Sequence, residues 1–347
     1  MFKSVQITTY LVVMPALLVL GLFVLCSPAA ANETLENDIQ ILSNSLASHF
    51  KTPFPLVQKG QSNLSKRYDN LKGWEHLFDL LVTRGIAPEY AAKIIRDKRM
   101  PAYKPLYYSV DPKESSAPYR RRNNRAERKN ALEFYKKHKS TFEEAEKKFG
   151  VDQSVLLALL QIETRCGNYT GRSRVFHRLA RLAGAAKPEN VEKSFQRKRR
   201  KDKSLRFSQF SERALWLEET FLPHAVASIV VAKERDTHPH ELRGSSAGAI
   251  GLPQFLPGNQ LIYGVDADKN GQVDLFKPKD AIHSVANYLR SKGWKKGISQ
   301  KEKEGVIWHY NRSKPYVETV LTMASRCLLY TSPSPRDATL SRMPSSA

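Results

Sequence analysis

A strongly apolar run in the middle of this chain ends on an acid. Residues 152–165 carry Val155, Leu156, Leu157, Leu159, Leu160 and Ile162, and the run closes as Gln161-Ile162-Glu163-Thr164-Arg165-Cys166-Gly167. A segment apolar nearly all round reads as a buried helix. A carboxylate at its end is costly unless it is paired or kept protonated. Desolvation raises the pKa of such a group toward neutrality, which is what a general acid requires. A last-turn glutamate that faces solvent or pairs with Arg165 has the same spelling, so the segment by itself leaves both readings open.

Three further stretches carry groups of chemical interest. Residues 244–257 read Gly-Ser-Ser-Ala-Gly-Ala-Ile-Gly-Leu-Pro-Gln-Phe-Leu-Pro. Small residues let a backbone or a ligand approach closely, and Ser245 and Gln254 offer neutral groups that suit sugar hydroxyls or acetamido groups. A plain glycine loop is the alternative. Ser245 lacks a G-x-S-x-G setting, so a serine nucleophile is rejected. Next, Asp266-Ala267-Asp268-Lys269-Asn270-Gly271-Gln272 places oxygen side chains at positions 1, 3 and 5, glycine at 6 and a backbone carbonyl at 7. That is the start of a calcium loop. The bidentate acid expected at position 12 is replaced by Lys277, and Asp280 can close the site instead. An Asx-rich turn is the alternative. Finally, residues 308–316 set Tyr310, Asn311 and Tyr316 close together. Rings that stack on a sugar beside an amide that bonds its hydroxyls suit carbohydrate, as does an ordinary packed helix end.

The elements that must hold these groups are mostly helical. Periodic apolar positions predict helices over 35–50, 74–83, 88–96, 130–138, 141–149, 152–165, 209–233, 279–291 and 300–325. Thr141 and Glu144 are expected to form a capping box, Gly150 to stop that helix, and Pro223 to break or kink the helix it lies in. Residues 97–118, with four prolines, read as an extended connection. No alternating run demands a large sheet. With 41% hydrophobic residues in 347, there is ample core for a globular fold. Three cysteines exclude a disulfide-stapled mini-protein.

The formal net charge is +22, and it is concentrated at Arg120, Arg121, Arg122, Arg125, Arg128 and Lys129 and again at Arg197-Lys198-Arg199-Arg200-Lys201. Such runs are solvated faces or attract a polyanion. The N-terminus decides which polyanion to expect. Lys3, an apolar run over 10–25 and Ala29-Ala30-Ala31 read as a secretory signal peptide over residues 1–31, cut after Ala31. The run is short and holds Pro15, which argues against an uncut anchor. Acylation at Cys26 is disfavoured because Leu25 is not small. The chain is therefore expected to be exported, periplasmic and soluble. Its basic clusters would face an anionic cell-envelope surface, with no nucleic acid expected. Residues 327–347, Ser/Pro-rich and aperiodic, read as a disordered or artefactual tail.

Taken in order, the four motifs resemble the lytic murein transglycosylase B family. That family shows E-T-R-x-G, then G-S-x-A-G-A-x-G-x-x-Q-F-x-P, a calcium loop, and Y-N-x-S-x-x-Y, over about residues 130–325 with weaker support upstream to about residue 70. The resemblance implies a mainly α, lysozyme-like catalytic domain over 119–326, with an inserted EF-hand-like calcium loop and little sheet, preceded by an N-terminal helical region over 32–118. It implies an enzyme, a lyase that cuts the β-1,4 bond between N-acetylmuramic acid and N-acetylglucosamine without water and leaves 1,6-anhydromuramoyl ends, with peptidoglycan glycan strands as partner. Glu163 would serve as acid and then base. Ser245, Gln254, Tyr310, Asn311 and Tyr316 would hold substrate, with Tyr119 as an upstream contact. Asp266, Asp268, Asn270, Gln272 and Asp280 would hold a structural, non-catalytic Ca2+, and no organic cofactor is implied. Two features depart from the family: Cys166 stands where Trp is usual, and where basic residues normally follow the catalytic helix by about twenty-five positions this chain has Ala185-Ala186-Lys187-Pro188 and a basic insertion through Lys203. A hydrolytic muramidase with a second acid, and a non-catalytic cell-wall binding protein, are the competing readings.

Overall fold

The computed structural model describes residues 40–42, 44–46, 64–111, 122 and 124–331, with side chains placed as far as Cys327. The expected signal peptide, Tyr119 and residues 332–347 lie outside the described residues. Within the helix expected over 35–50, residues 40–42 and 44–46 are helical.

The fold is mainly α. In chain order come α1 (Glu75–Thr83), α2 (Pro88–Arg96), α3 (Arg125–Lys137), α4 (Lys139–Phe149) and α5 (Gln153–Thr164). Then follow β1 (Ser173–Arg174), α6 (Val175–Ala183), α7 (Pro188–Arg199), α8 (Phe207–Glu234), β2 (Arg243–Gly244), α9 (Pro257–Tyr263), α10 (Pro278–Ser291), α11 (Gln300–Tyr310) and α12 (Lys314–Thr331). The two strands form one short antiparallel ladder, Ser173 opposite Gly244.

α5 is the pivot. Of its twelve residues only Gln153 and Glu163 escape full burial. It packs against α12, α3, α4 and α10. A helix with partners on every side needs an apolar surface on every side, which explains its lack of a polar face. A second layer pairs α6 with α8, and α8 in turn carries α9 and α7. The N-terminal helices join the same core: Trp74, Phe78 and Leu81 are buried in one cluster with the α5 residues. His76 Nε2 lies 2.8 Å from Glu218 Oε2, and Tyr108 OH donates to the Phe210 carbonyl at 3.1 Å.

Several local expectations need correcting. α4 begins at Lys139, so Thr141 is a buried residue inside the helix and forms no capping box there. Gly150 does end that helix, at φ 70°. Pro223 does not divide α8, which is continuous over 28 residues. An interior proline costs a helix about 3 kcal/mol, and the burial of the stretch from Thr220 to Ala232 outweighs it. The helix expected over 300–325 is two, parted at Asn311-Arg312-Ser313. There the Ser313 hydroxyl accepts from Tyr316 N at 3.1 Å, a cap for the new helix. α12 also runs past the expected boundary at 326, with Cys327 wholly buried, so the tail does not begin there. α6, α7 and α9 were not foreseen, although Val175, Phe176, Leu179, Ala180, Leu182 and Ala183 of α6 have helical spacing.

Candidate active site

Glu163 projects from the last turn of α5. Tyr316, buried in the first turn of α12, donates its hydroxyl to Glu163 Oε1 at 2.6 Å. Burial pushes the Glu163 carboxyl up from 4.5 to about 7; the Tyr316 hydrogen bond and the Arg122 guanidinium pull it part of the way back. At neutral pH the group therefore stands near half protonation, able to give a proton or to take one. The alternative partner, Arg165, is engaged elsewhere: its Nε donates to Glu127 Oε2 at 3.0 Å.

The backbone beyond Glu163 is unusual. Arg165, Cys166 and Gly167 all have positive φ, at 53°, 55° and 95°. Left-handed backbone costs a non-glycine residue roughly 1–2 kcal/mol, and such a turn persists only where its surroundings over-determine it. α3 provides the clamp. Glu127 Oε2 accepts from Gln161 Nε2 at 2.6 Å as well as from Arg165. Asn130 Nδ2 donates to Gln161 Oε1 at 2.8 Å and to the Arg165 carbonyl at 3.2 Å. Arg122 Nη1 donates to the Ile162 carbonyl at 3.1 Å. On the other side Thr164 Oγ1 donates to the Leu252 carbonyl at 2.9 Å and accepts from Gly167 N at 2.9 Å. The roles of Glu127, Asn130 and Arg122 here have no local signature, because each meets its partner 31–40 residues away with no spacing to reveal it.

The glycine block is the opposite wall. Leu252 joins it to α5, as above. Gly244 is required: a Cβ there would fall 2.0 Å from the Ala249 carbonyl oxygen. Ser245 is buried, and its Oγ accepts from Ala247 N and Ala249 N at 3.3 and 3.2 Å. Gln254 uses Nε2 on the Thr170 and Gly251 carbonyls, at 3.2 and 2.9 Å. Tyr310 OH donates to the Pro253 carbonyl at 2.5 Å, and its ring stacks with that of Tyr316, centroids 6.5 Å apart. Tyr310 lies close enough to Glu163 for that carboxylate to help raise its hydroxyl pKa, after burial. Asn311 Oδ1 is buried and takes no hydrogen bond among the described residues. The structure thus brings Glu163, Tyr310 and Tyr316 together and fixes the glycine block beside them through Leu252 and Pro253.

The aspartate loop is a separate feature bonded to that wall. Carboxylate oxygens of Asp266, Asp268 and Asp280 lie within 4.8 Å of one another. Asp280 is wholly buried and accepts from Ala267 N at 2.9 Å and Asp274 N at 2.8 Å. Asp266 accepts from Asn270 N and Gly271 N, and Asn270 Oδ1 accepts from Gln272 N. Lys277 Nζ donates to Asp268 Oδ2 at 3.3 Å, a fixed cation at the loop's rim. Leu275, within the loop's return, accepts from Leu252 N at 2.8 Å. Three carboxylates this close repel one another unless a cation sits among them, so the donor set fits a hard oxygen-seeking ion.

Comparison with known proteins gives a consistent result. A family profile described as Transglycosylase SLT domain matches residues 74–303, which includes α1 and α2. Membrane-bound lytic murein transglycosylase B of Escherichia coli K12 is 32% identical over 168 residues, 48% of this chain. The match spans only 39% of that curated relative's length. Among solved structures, the E. coli lytic transglycosylase Slt35 in complex with calcium superposes with a TM-score of 0.56 at 19% identity, covering 76% of this chain and 94% of that one. SltB3 of Pseudomonas aeruginosa, in complex with NAG-anhNAM-pentapeptide, superposes with a TM-score of 0.53 at 18% identity, covering 75% and 80%. At such identities the superpositions establish the fold.

Proposed function

The chain belongs to the Transglycosylase SLT domain family, and from that premise we propose that it is a murein lytic transglycosylase acting on peptidoglycan strands. One observation carries the reading: a single desolvated glutamate, held at about 7, with Tyr316 and Arg122 as the groups that bias it. No second carboxylate acts on it among the described residues. Hydrolysis with two carboxylates needs the second to direct water or to attack C1. A lone acid suits a reaction in which the substrate supplies its own nucleophile.

Protonated Glu163 gives its proton to the glycosidic oxygen as the C1–O4 bond breaks. The acetamido oxygen of the muramoyl unit relieves the positive charge left at C1. Glu163, now a carboxylate, takes the proton from the C6 hydroxyl, whose oxygen bonds to C1. One C–O bond is exchanged for another, a proton passes from O6 to O4, and no water enters. Tyr316 favours the charged state in the second half of the cycle, and the dry surroundings favour the neutral state in the first.

The positions of the polar atoms suggest how substrate is gripped. Ser245 Oγ already accepts two backbone N–H groups, so it meets substrate as a donor, to the acetamido carbonyl. Asn311 Oδ1 is an acceptor without a partner among the described residues, suited to the acetamido N–H. Gln254, its nitrogen committed, offers its amide oxygen to a sugar hydroxyl. Tyr310, its hydroxyl committed, offers its ring. Tyr119 retains its role as an upstream contact by resemblance. Asp266, Asp268, Asn270, the Gln272 carbonyl and Asp280 would hold Ca2+, which when bound supplies charge neutralisation and stiffness to the loop. The calcium complex of the fold relative supports this, and the NAG-anhNAM complex supports the substrate class. Export to the periplasm through residues 1–31 would bring the enzyme to its polymer.

Mass spectrometry of digested peptidoglycan tests the reading. Anhydromuramoyl ends, one water lighter than hydrolysed ends, are expected. Reducing ends would make the protein a muramidase, and intact strands would leave only wall binding.

A further inference from the structure

The basic insertion through Lys203 forms an exposed surface. α7 ends and α8 begins around the run 197–206, where Arg197, Lys198, Arg199, Arg200, Lys201, Lys203 and Arg206 are all exposed. Seven cations in ten residues face a single acid, Asp202, and its carboxylate accepts from Ser204 N and Oγ. Along α7 the ion pairs stop one turn earlier, at Lys193–Glu189. Like charges held this close raise the free energy of the fold unless something outside neutralises them.

The cations are interleaved with rings. Arg197 lies over Tyr107, 5.0 Å from the ring centroid, and Arg199 lies over Phe195 at 5.2 Å. Phe195 is itself wedged edge-on against Phe207 and Phe210, at 5.5 and 5.7 Å. A guanidinium laid on a ring keeps its N–H edge turned outward and loses little freedom on meeting a phosphate. Tyr107 is 50% exposed and Phe207 45% exposed, so apolar ring surface stands among the charges. Cations that reach phosphate beside rings that enter the headgroup boundary are the two elements of interfacial binding.

We propose that the corner between α7 and α8 docks on the surface of an anionic phospholipid bilayer, through these seven cations with Phe207 and Tyr107 as wedges. The charge complementarity and the exposed rings carry this independently of the catalytic reading. No residue of the patch belongs to the catalytic wall.

The test is co-sedimentation of the full chain with vesicles of 30% phosphatidylglycerol in phosphatidylcholine, or of phosphatidylcholine alone. Wild type is compared with Phe207→Ser and with a variant carrying Arg197→Ser, Lys198→Ser, Arg199→Ser and Arg200→Ser. All three share residues 1–31, so lipid affinity of that segment cancels in the comparison. Each cation near an anionic surface contributes enough that losing four should weaken partition to the anionic vesicles by roughly a hundredfold or more. The effect should shrink as salt rises, and Phe207→Ser should weaken binding by a few-fold. Activity on soluble glycan fragments should match wild type in both variants. The proposal is overturned if the four-fold variant binds anionic vesicles as wild type does. It is also overturned if the loss is the same on neutral vesicles, or if duplex DNA or purified sacculi compete the protein off the vesicles through this patch. Loss of lytic activity in wild type would sink the catalytic reading and leave this one standing.

Discussion

Glu163 and the trio Asp266, Asp268 and Asp280 are two opposite treatments of the carboxylate. Glu163 stands singly in a desolvated wall, with a phenol on one oxygen and its proton half retained. The trio crowds three negative groups within 4.8 Å, Asp268 exposed, Asp266 half-buried and Asp280 buried, with Lys277 at the rim. Isolation and dryness make an acid that can exchange a proton. Crowding makes a site that seeks a cation. The two lie in one fold, and which chemistry results depends on the neighbours each carboxylate is given.

The largest effects should come from the lone acid. Glu163→Gln should lower turnover of peptidoglycan by roughly a thousandfold while leaving circular dichroism unchanged; retained lysis would contradict the assignment. The same variant checks the dryness. A carboxyl raised from 4.5 to about 7 binds its proton more tightly folded than unfolded. Its contribution is fully present below about pH 4.5 and is lost as pH rises through about 7. Wild type should therefore lose on the order of 3 kcal/mol relative to Glu163→Gln between those limits, read from denaturant midpoints at pH 4 and pH 8.

Asp280→Ala probes the crowded site. Two backbone N–H groups lose their acceptor, for a cost of about 2–4 kcal/mol in calcium-free buffer. The gain expected of wild type on adding calcium, about 2.7 kcal/mol at a hundredfold excess over Kd, should be absent from thermal melts of the variant. A smaller change is expected from Tyr316→Phe. Without the hydroxyl the Glu163 pKa rises further, so the alkaline limb of the rate profile should move up by roughly one unit; a downward move would mean that the phenol opposes the charge. The smallest effect is assigned to Lys277→Gln. Removing the ammonium from Asp268 should tighten calcium binding by a few-fold, measured by calorimetry, with the midpoint in chelator almost unchanged.

How much of this was legible beforehand follows from range. α2 is found where the spacing placed it, and α5 with its terminal Glu163 was visible because apolar periodicity is a local property. The carboxylate trio was largely visible: Asp266, Asp268 and Asn270 are a local motif, and Asp280 stands three residues past the position where the closing acid is expected. The break between α11 and α12 was missed although Ser313 and Pro315 mark it, because helical spacing resumes in phase across three residues. The clamp from Glu127 and Asn130 was illegible in principle. Its geometry exists only once α3 lies beside α5. Pro223 shows the converse, a strong local signal overruled by burial on every side.

Leu252 gives its N–H to Leu275 and receives the Thr164 hydroxyl on its carbonyl. One residue, through the two peptide units that flank it, is thus a shared joint between the aspartate loop and the residue next to the proton donor. With that joint, an enzyme deprived of divalent ions would lose its aim before it lost its shape. Turnover would then track ion supply at temperatures where no melting is seen.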